Sequence, residues 1–362
     1  MESMNSNPVI GIVGYYDYGN FGDDLMAVVI AETISRAGGR PLVLTQSETI
    51  GRYGLTCVAD VDSFASSCDR IVLGGGAALA ESFWSNRADS TQNIYQRYLL
   101  SVARSASDHN VPLYAVSVGG DSVAPVRRIF PGLFAFFASP QFRQATVRLQ
   151  MDVEALEYFR VSATYYPDIL LAIRNVFPNI GVPDAKKENY IGVQCYDMET
   201  ARMLYRLSRL RRIPRCVFLH TSKATLRRML SRGIGVENRD HYFAEDVFDT
   251  CNFLSKCAAV IGCRLHLGVV ASAFQVPFYV IKQQPKVTQF FEDLNIQVPE
   301  IATSFPRSIT VARSLNKQLS SATAPQLQTA GQAAIGHLDF IRSVVVGDAA
   351  VTCQEENQTW KA

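Results

Sequence analysis

Arg264 and His266 lie two positions apart where an apolar run, Val260-Ile-Gly262, gives way to Leu265-His-Leu-Gly-Val-Val-Ala-Ser-Ala-Phe274, small and apolar at helical spacing. Such a junction delivers a guanidinium and an imidazole to the first turn of a helix, where free backbone N–H groups and the helix dipole favour an anion. Arginine adds a planar cationic fork suited to carboxylate and phosphate. Histidine can take and give a proton near neutral pH. Together they are equipment for holding a small anion and moving a proton on it. The competing reading, a structural arginine on a carbonyl beside a core histidine, suits a lone histidine better than this pair.

Three further segments put glycines after apolar runs. In Gly14-Tyr-Tyr-Asp-Tyr-Gly-Asn-Phe-Gly-Asp-Asp24, Gly19 and Gly22 permit backbone that other residues resist, Asn20 can hydrogen-bond a polyol, and Asp23 either caps a helix or contacts substrate. The spacing matches neither the G-x-G-x-x-G dinucleotide fingerprint nor a Walker loop. Gly74-Gly-Gly76, after Ile71-Val-Leu73, bares a backbone that a ligand can approach closely, or else packs strand tightly on helix. Gly119-Gly-Asp121, after Val116-Ser-Val118, reads as a simple turn.

Lesser candidates divide between chemistry and structure. His220 ends a strand pattern ahead of Thr221, Ser222 and Lys223, which could bind a phosphate. Asp60-Val-Asp62 resembles the D-x-D of metal-dependent glycosyltransferases but stands where a helix starts, so capping explains it better. Arg206-Leu-Ser-Arg-Leu-Arg-Arg212 reads as a solvated helix face. Eight cysteines, with no C-x-x-C pair, read as reduced, mostly buried thiols, and Cys263 as a packed strand-end residue. No metal site is expected.

Alternating strand and helix patterns position these segments. Strands are expected at Pro8–Gly14, Pro41–Leu44, Arg70–Leu73, Pro112–Val118 and Thr146–Leu149, with helices at Asp23–Ala37, Thr91–Asp108 and Asp152–Phe159. Residues 175–189, rich in proline and charge, read as a linker. The pattern then restarts: strand Tyr190–Cys195, helix Glu199–Arg212, strand Arg215–Leu219, helices Ala224–Arg232 and Ala244–Lys256, strand Ala258–Ile261, helix Leu265–Phe274 and strand Pro277–Ile281. Two later helices are expected at Arg307–Ser320 and Pro325–Val345. The reading is α/β: a Rossmann-like domain over 1–175, a second over 190–300, C-terminal helices over 301–347 and a polar tail over 348–362. Ligands of such sheets bind beyond the carboxyl ends of strands, so the informative residues face a cleft between the domains.

The bulk properties fit a soluble globular protein. A chain of 362 residues suits two cores, with 48% hydrophobic and 19% charged residues. A net charge of +2 gives no field calling for nucleic acid. Met1–Asn7 lacks a basic stretch ahead of an apolar one, and no apolar run is long enough to span a bilayer. The expected location is cytoplasmic, at the inner face of the membrane if the substrate is lipid-linked.

Gly-Asn-Phe-Gly-Asp-Asp at 19–24, the glycines at 74–76 and Gly-Cys-Arg-Leu-His at 262–266 together resemble the polysaccharide pyruvyl transferase family. Thr146-Val-Arg148, Pro167-Asp168 and Pro285-Lys286-Val287 match more loosely, in the family's order. The resemblance implies two Rossmann-like domains as in the glycosyltransferase B fold. It also implies transfer of pyruvate from phosphoenolpyruvate, as co-substrate and without a further cofactor, to two hydroxyls of a saccharide to give a cyclic ketal. Carried over, Arg264 grips phosphoenolpyruvate and His266 is the acid/base. Gly262, Leu265 and His220 join the donor side, and Asn20, Gly22, Asp23, Gly74, Gly75 and Gly76 the acceptor side. The sequence departs from the family where Asp24-Leu25 follows Asp23 and where Leu149-Gln150 follows Arg148, which bears on the acceptor more than on the donor. Two rivals share the architecture: a nucleotide-sugar-dependent glycosyltransferase, and a non-catalytic glycan- or anion-binding protein.

Overall fold

The computed structural model describes residues 7–16, 19–79, 91–120, 131–181, 188, 190–195, 197–220, 226, 229–231, 240–281, 285–296 and 324–347. Two parallel sheets organise the chain. The first has seven strands: β1 (Val9–Val13), β2 (Arg40–Leu44), β3 (Thr56–Val58), β4 (Arg70–Gly74), β5 (Leu113–Val118), β6 (Phe142–Val147) and β7 (Ala163–Tyr165). Their spatial order is β3-β2-β1-β4-β5-β6-β7. The second has five, β8 (Tyr190–Gln194), β9 (Arg215–His220), β10 (His241–Phe243), β11 (Ala259–Gly262) and β12 (Phe278–Val280), in the order β10-β9-β8-β11-β12. In both, the order reverses beside the first strand, at β1/β4 and at β8/β11. A doubly wound sheet opens a crevice for ligand at that point.

Helices cover the strands as their apolar spacing requires. Those of the first half are α1 (Phe21–Arg36), α2 (Glu48–Gly51), α3 (Val61–Ser66), α4 (Thr91–Asp108), α5 (Pro131–Phe137), α6 (Met151–Glu157) and α7 (Ile173–Val176). The second half carries α8 (Met198–Arg209), α9 (Val247–Lys256), α10 (Leu265–Ala273) and α11 (Pro285–Asp293), and α12 (Ala324–Val346) follows. Helix α1 ends as its sequence dictates: Gly38 takes φ +87°, and the Gly39 N–H returns to the Ile34 carbonyl. Asp60 caps α3, its side chain accepting from the Ser63 N–H at 2.7 Å. No helix among the described residues is long and apolar enough to cross a membrane.

The strands at 41–44, 70–73 and 112–118 and the helix over 91–108 lie close to where the sequence puts them. Strand β6 runs over Phe142–Val147 rather than the expected Thr146–Leu149; its first residues, Phe142-Arg-Gln, are mixed in polarity and give no strand signal. Short edge strands β3, β7 and β10 carry no alternating signal. Met229, Leu230 and Ser231 are helical, but most of the helix expected at 224–232 lies outside the described residues, as do that at 307–320 and the tail from 348.

One apolar cluster runs through both halves, joining Leu25 and Val29 of α1, Ile169 and Ile173, Val269 and Val270 of α10, and Leu338 and Ile341 of α12. The last helix therefore packs back onto the first sheet. His337 in α12 is fully buried. Its Nε2 donates to the Tyr166 carbonyl at 3.2 Å, which leaves Nδ1 to accept from the Thr146 hydroxyl at 2.8 Å. Burial pushes its pKa down to about 3, in keeping with that neutral tautomer. Thr146 also accepts from Ser117 N–H, and the Ser117 hydroxyl accepts from Ile169 N–H. These bonds fix the ends of β5 and β6 and the turn at Asp168.

Candidate active site

Five strand ends converge. Beyond β1, Asn20 stands at the N-cap of α1 without a capping side-chain bond; its Nδ2 instead donates to Asp23 Oδ2 at 2.5 Å. Asp23 is therefore not the cap, and it turns toward the second half. Beyond β4, Gly75 and Gly76 hold φ of +58° and +79°, a region that side chains disfavour. A Cβ on Gly76 would come within 2.7 Å of Asp23 Oδ1. Beyond β6 and β7 come Arg148 and Asp168, and beyond β11 come Arg264 and His266.

The halves touch at Gly22 and His266. A Cβ on Gly22 would overlap the imidazole, so glycine is what allows α1 to rest on that ring. Arg148 Nη1 lies 2.6 Å from His266 Nε2 and 3.2 Å from Asp168 Oδ2. A guanidinium has only hydrogens to give, so Nε2 accepts and the ring proton sits on Nδ1. Nδ1 points toward Asp23 Oδ1, 4.0 Å away. Arg264 is the N-cap residue of α10, with extended backbone, as a strand-to-helix junction requires.

Charge in this cluster is balanced by burial. Arg148 and Asp168 are 1% and 0% exposed, so each is the other's principal counter-charge. Asp152, the second residue of α6, accepts from Gly120 N–H at 2.8 Å, while its Oδ2 and Arg148 Nε have no hydrogen-bond partner among the described residues. Burial raises the Asp152 carboxyl to about 7 against the pull of Arg148. It raises Asp23 to about 6, against Arg148, Arg264, Lys286 and the Asn20 bond. Burial, then Arg148, Lys286 and Arg264, hold His266 well below its ordinary value. The sequence leads one to expect an imidazole titrating near neutrality; in this arrangement it is neutral, and burial brings the carboxyls of Asp23 and Asp152 toward pH 7 instead.

The other sequence candidates are placed as follows. Gly262 ends β11 and Leu265 opens α10, buried, with Cys263 between β11 and Arg264 bonded through Sγ to Gln194 Oε1 at 3.3 Å. Gly74 closes β4, its carbonyl accepting from the Tyr16 hydroxyl at 2.9 Å. His220 ends β9, but its Nε2 pairs with His241 Nδ1 at 2.8 Å rather than with the Arg148–His266 cluster. It lines a cleft of about 370 Å³ between the halves, together with Gly19, Phe21 and Asp24. Thr221, Ser222 and Lys223 lie outside the described residues. Among the described residues, no group of three or more His, Cys, Asp or Glu is placed to hold a metal ion.

In the sequence, Arg148, Asp168 and Lys286 figure only as loose family matches without a role, and Asp152 only as the start of a helix; all four join this candidate site. The signal available was a charged residue directly after an apolar strand or in the first turn beyond it, as at Val147-Arg148.

A family model of polysaccharide pyruvyl transferase matches residues 20–285, a span that holds every one of these residues except Lys286. No curated protein matches the chain in sequence. Solved structures share its fold at low identity. The UDP-GlcNAc 2-epimerase of Methanocaldococcus jannaschii is 8% identical, with a TM-score of 0.60 over 94% of this chain and 99% of that one. The S. aureus MnaA–UDP co-structure is 13% identical, with a TM-score of 0.56 over 92% and 96%. Anabaena Alr3699/HepE in complex with UDP is 12% identical, with a TM-score of 0.51 over 94% and 98%. Two Rossmann-like domains facing a cleft, the glycosyltransferase B arrangement, are the common architecture. With the family match spanning most of its length and both sheet crevices, the chain belongs to the polysaccharide pyruvyl transferase family.

Proposed function

We propose that this chain transfers pyruvate from phosphoenolpyruvate to two hydroxyls of a saccharide, forming a cyclic ketal and releasing phosphate. The observation that carries the reading is the meeting of Arg148 and His266, 2.6 Å apart, beside Asp23 and under the positive field of Arg264 and Lys286. Three cations around a neutral imidazole suit a donor with a carboxylate and a phosphate.

Arg264 and Arg148 bind the donor's two acidic groups. As Arg148 turns to the donor it releases His266 Nε2, and the donor's negative charge offsets the cations that keep the ring neutral. His266 then carries a proton. Delivery of a proton to C3 makes C2 electrophilic; one sugar hydroxyl adds there and a second displaces phosphate. Of the two hydroxyl protons, one balances the hydrogen gained at C3 and the other leaves on phosphate. Asp23, with a carboxyl near pH 6, receives a hydroxyl proton on the acceptor side.

The test is phosphate release from phosphoenolpyruvate in the presence of a glycan, with the ketal methyl group followed by NMR. His266→Ala should lose ketal formation while remaining folded. Arg264→Lys should raise KM for the donor at least about tenfold, because a point charge does not replace the fork. Full activity in a folded His266→Ala protein refutes the assignment. Release of a nucleoside diphosphate from a sugar nucleotide, without use of phosphoenolpyruvate, would replace the reading with glycosyl transfer.

A further inference from the structure

The cleft beside the first turn of α1 adjoins the Arg148–His266 cluster and has a different chemistry. It is lined from the first half by Phe21, Asp24, Glu48 and Arg52, and from the second by Phe243 and Asp246. At about 370 Å³ it lies at the small end of ligand pockets, which span about 300–1,000 Å³. Its one arginine is engaged across the cleft, with Arg52 Nη1 2.6 Å from Glu245 Oε2. Among the described lining residues the other formal charges are negative: Glu48, Asp246, which also caps α9, and Asp24. His220 adds no cation, since burial pushes its pKa down to about 4. Its Nδ1 is buried with no hydrogen-bond partner among the described residues, in a side chain only 2% exposed.

We propose that this cleft is the acceptor subsite and that it takes an uncharged, hydroxyl-rich sugar ring while excluding phosphorylated sugars and nucleotides. The assignment of a sugar as acceptor rests on the pyruvyl-transfer reading; the preference for a neutral one rests on the cleft. Carboxylates accept strong hydrogen bonds from sugar hydroxyls, and a hydroxyl can satisfy His220 Nδ1 in either tautomer. Phe21 and Phe243 offer apolar surface to ring C–H groups. A phosphate would face the three carboxylates with no free cation from Arg52 or His220.

The cleft also leads to the chemistry. Phe21 and Asp24 face it from α1, while Gly22 and Asp23 of the same turn face His266. Gly19 lines the cleft at φ +59°, and among the described residues nothing lies within 4 Å of where its side chain would begin. Next to it Asn20 holds Asp23 Oδ2. A sugar in the cleft therefore lies against the same turn of α1 that carries Asp23.

Calorimetry and saturation-transfer NMR on the full chain, with a panel of methyl hexopyranosides, their 6-phosphates and UDP, test the assignment. At least one neutral glycoside should bind, and its 6-phosphate and UDP at least about tenfold more weakly. Glu48→Lys should reverse that order. Gly19→Asn, which tolerates the left-handed backbone, should weaken the neutral sugar at least about tenfold. The proposal is overturned if no neutral glycoside binds, if the phosphates bind equally well, or if both variants leave the affinities unchanged. Phosphoenolpyruvate consumption is measured separately. Sugar binding in the expected pattern without donor turnover would keep the cleft as a sugar site and remove the pyruvyl-transfer reading.

Discussion

Arg148 Nη1 stands 2.6 Å from His266 Nε2, and the two residues come from different sheets, 118 positions apart in sequence. The contact makes the protonation state of the imidazole depend on how the halves meet. While the guanidinium donates to Nε2, that nitrogen cannot bind a proton.

Donor binding should therefore take up protons. Near pH 7 the free site holds His266 neutral, and an anion that draws Arg148 away raises its affinity for a proton. Calorimetric titration of phosphoenolpyruvate in buffers of different ionisation enthalpy should show net proton uptake, reduced in His266→Ala. Uptake unchanged by that substitution would assign the proton elsewhere, Asp23 being the nearest group.

Gly22→Ala should damage activity more than folding. The added methyl overlaps the His266 ring, so either the ring shifts or α1 withdraws. A misplacement of about 1 Å can cost about 100-fold in rate, and that is the expected loss in kcat/KM. The melting temperature should move by only a few degrees, about what 1 kcal/mol does in a chain of this size. Activity within about twofold of the parent would show that this contact is not part of the working site.

Arg148→Met should destabilise the protein by about 3–5 kcal/mol in urea unfolding, because Asp168 would be left charged and enclosed. Adding Asp168→Asn, which keeps the acceptor for the Leu170 N–H, should recover at least about 1 kcal/mol of it. Strict additivity of the two changes would mean that the pair is not coupled.

Asp152→Asn should alter stability in a pH-dependent way. With its carboxyl raised from 3.8 to about 7, the folded protein keeps a proton that the unfolded chain has lost. Stability from this group falls as pH rises through that window and is level above it. The asparagine protein is spared the loss, so its advantage over the parent should be nil near pH 4 and grow to about 4 kcal/mol above pH 7. A stability difference independent of pH contradicts the assignment.

What the sequence revealed of the site depended on how close together the residues are along the chain. Arg264 and His266 stand out because one strand-to-helix junction carries both. Asn20, Gly22 and Asp23 stand out for the same reason. Arg148, Asp152 and Asp168 do not, since each gains its meaning from a neighbour that only the strand order and the closure of the halves supply. His220 shows the converse. A histidine at a strand end has the local marks of an anion site, yet its partner is His241 on the adjacent strand, and it faces an acidic cleft. The fold was legible in its long elements, where apolar spacing repeats over many residues. It was illegible at β3, β7 and β10, whose three residues apiece take their conformation from the strand alongside.

The return of the last helix to the first sheet sets an order of events during synthesis. Leu338, Ile341 and Val345 belong to the same apolar cluster as Ile10, Leu25 and Val116. A nascent chain that has already made all seven strands of the first sheet still lacks part of the surface that, beside α1, covers one side of it. The rest of that side waits for residues 324–346 to leave the ribosome, so the first half to be translated is among the last parts to be finished. Chains cut short before α12 should accordingly expose the earliest-made apolar surface rather than the latest.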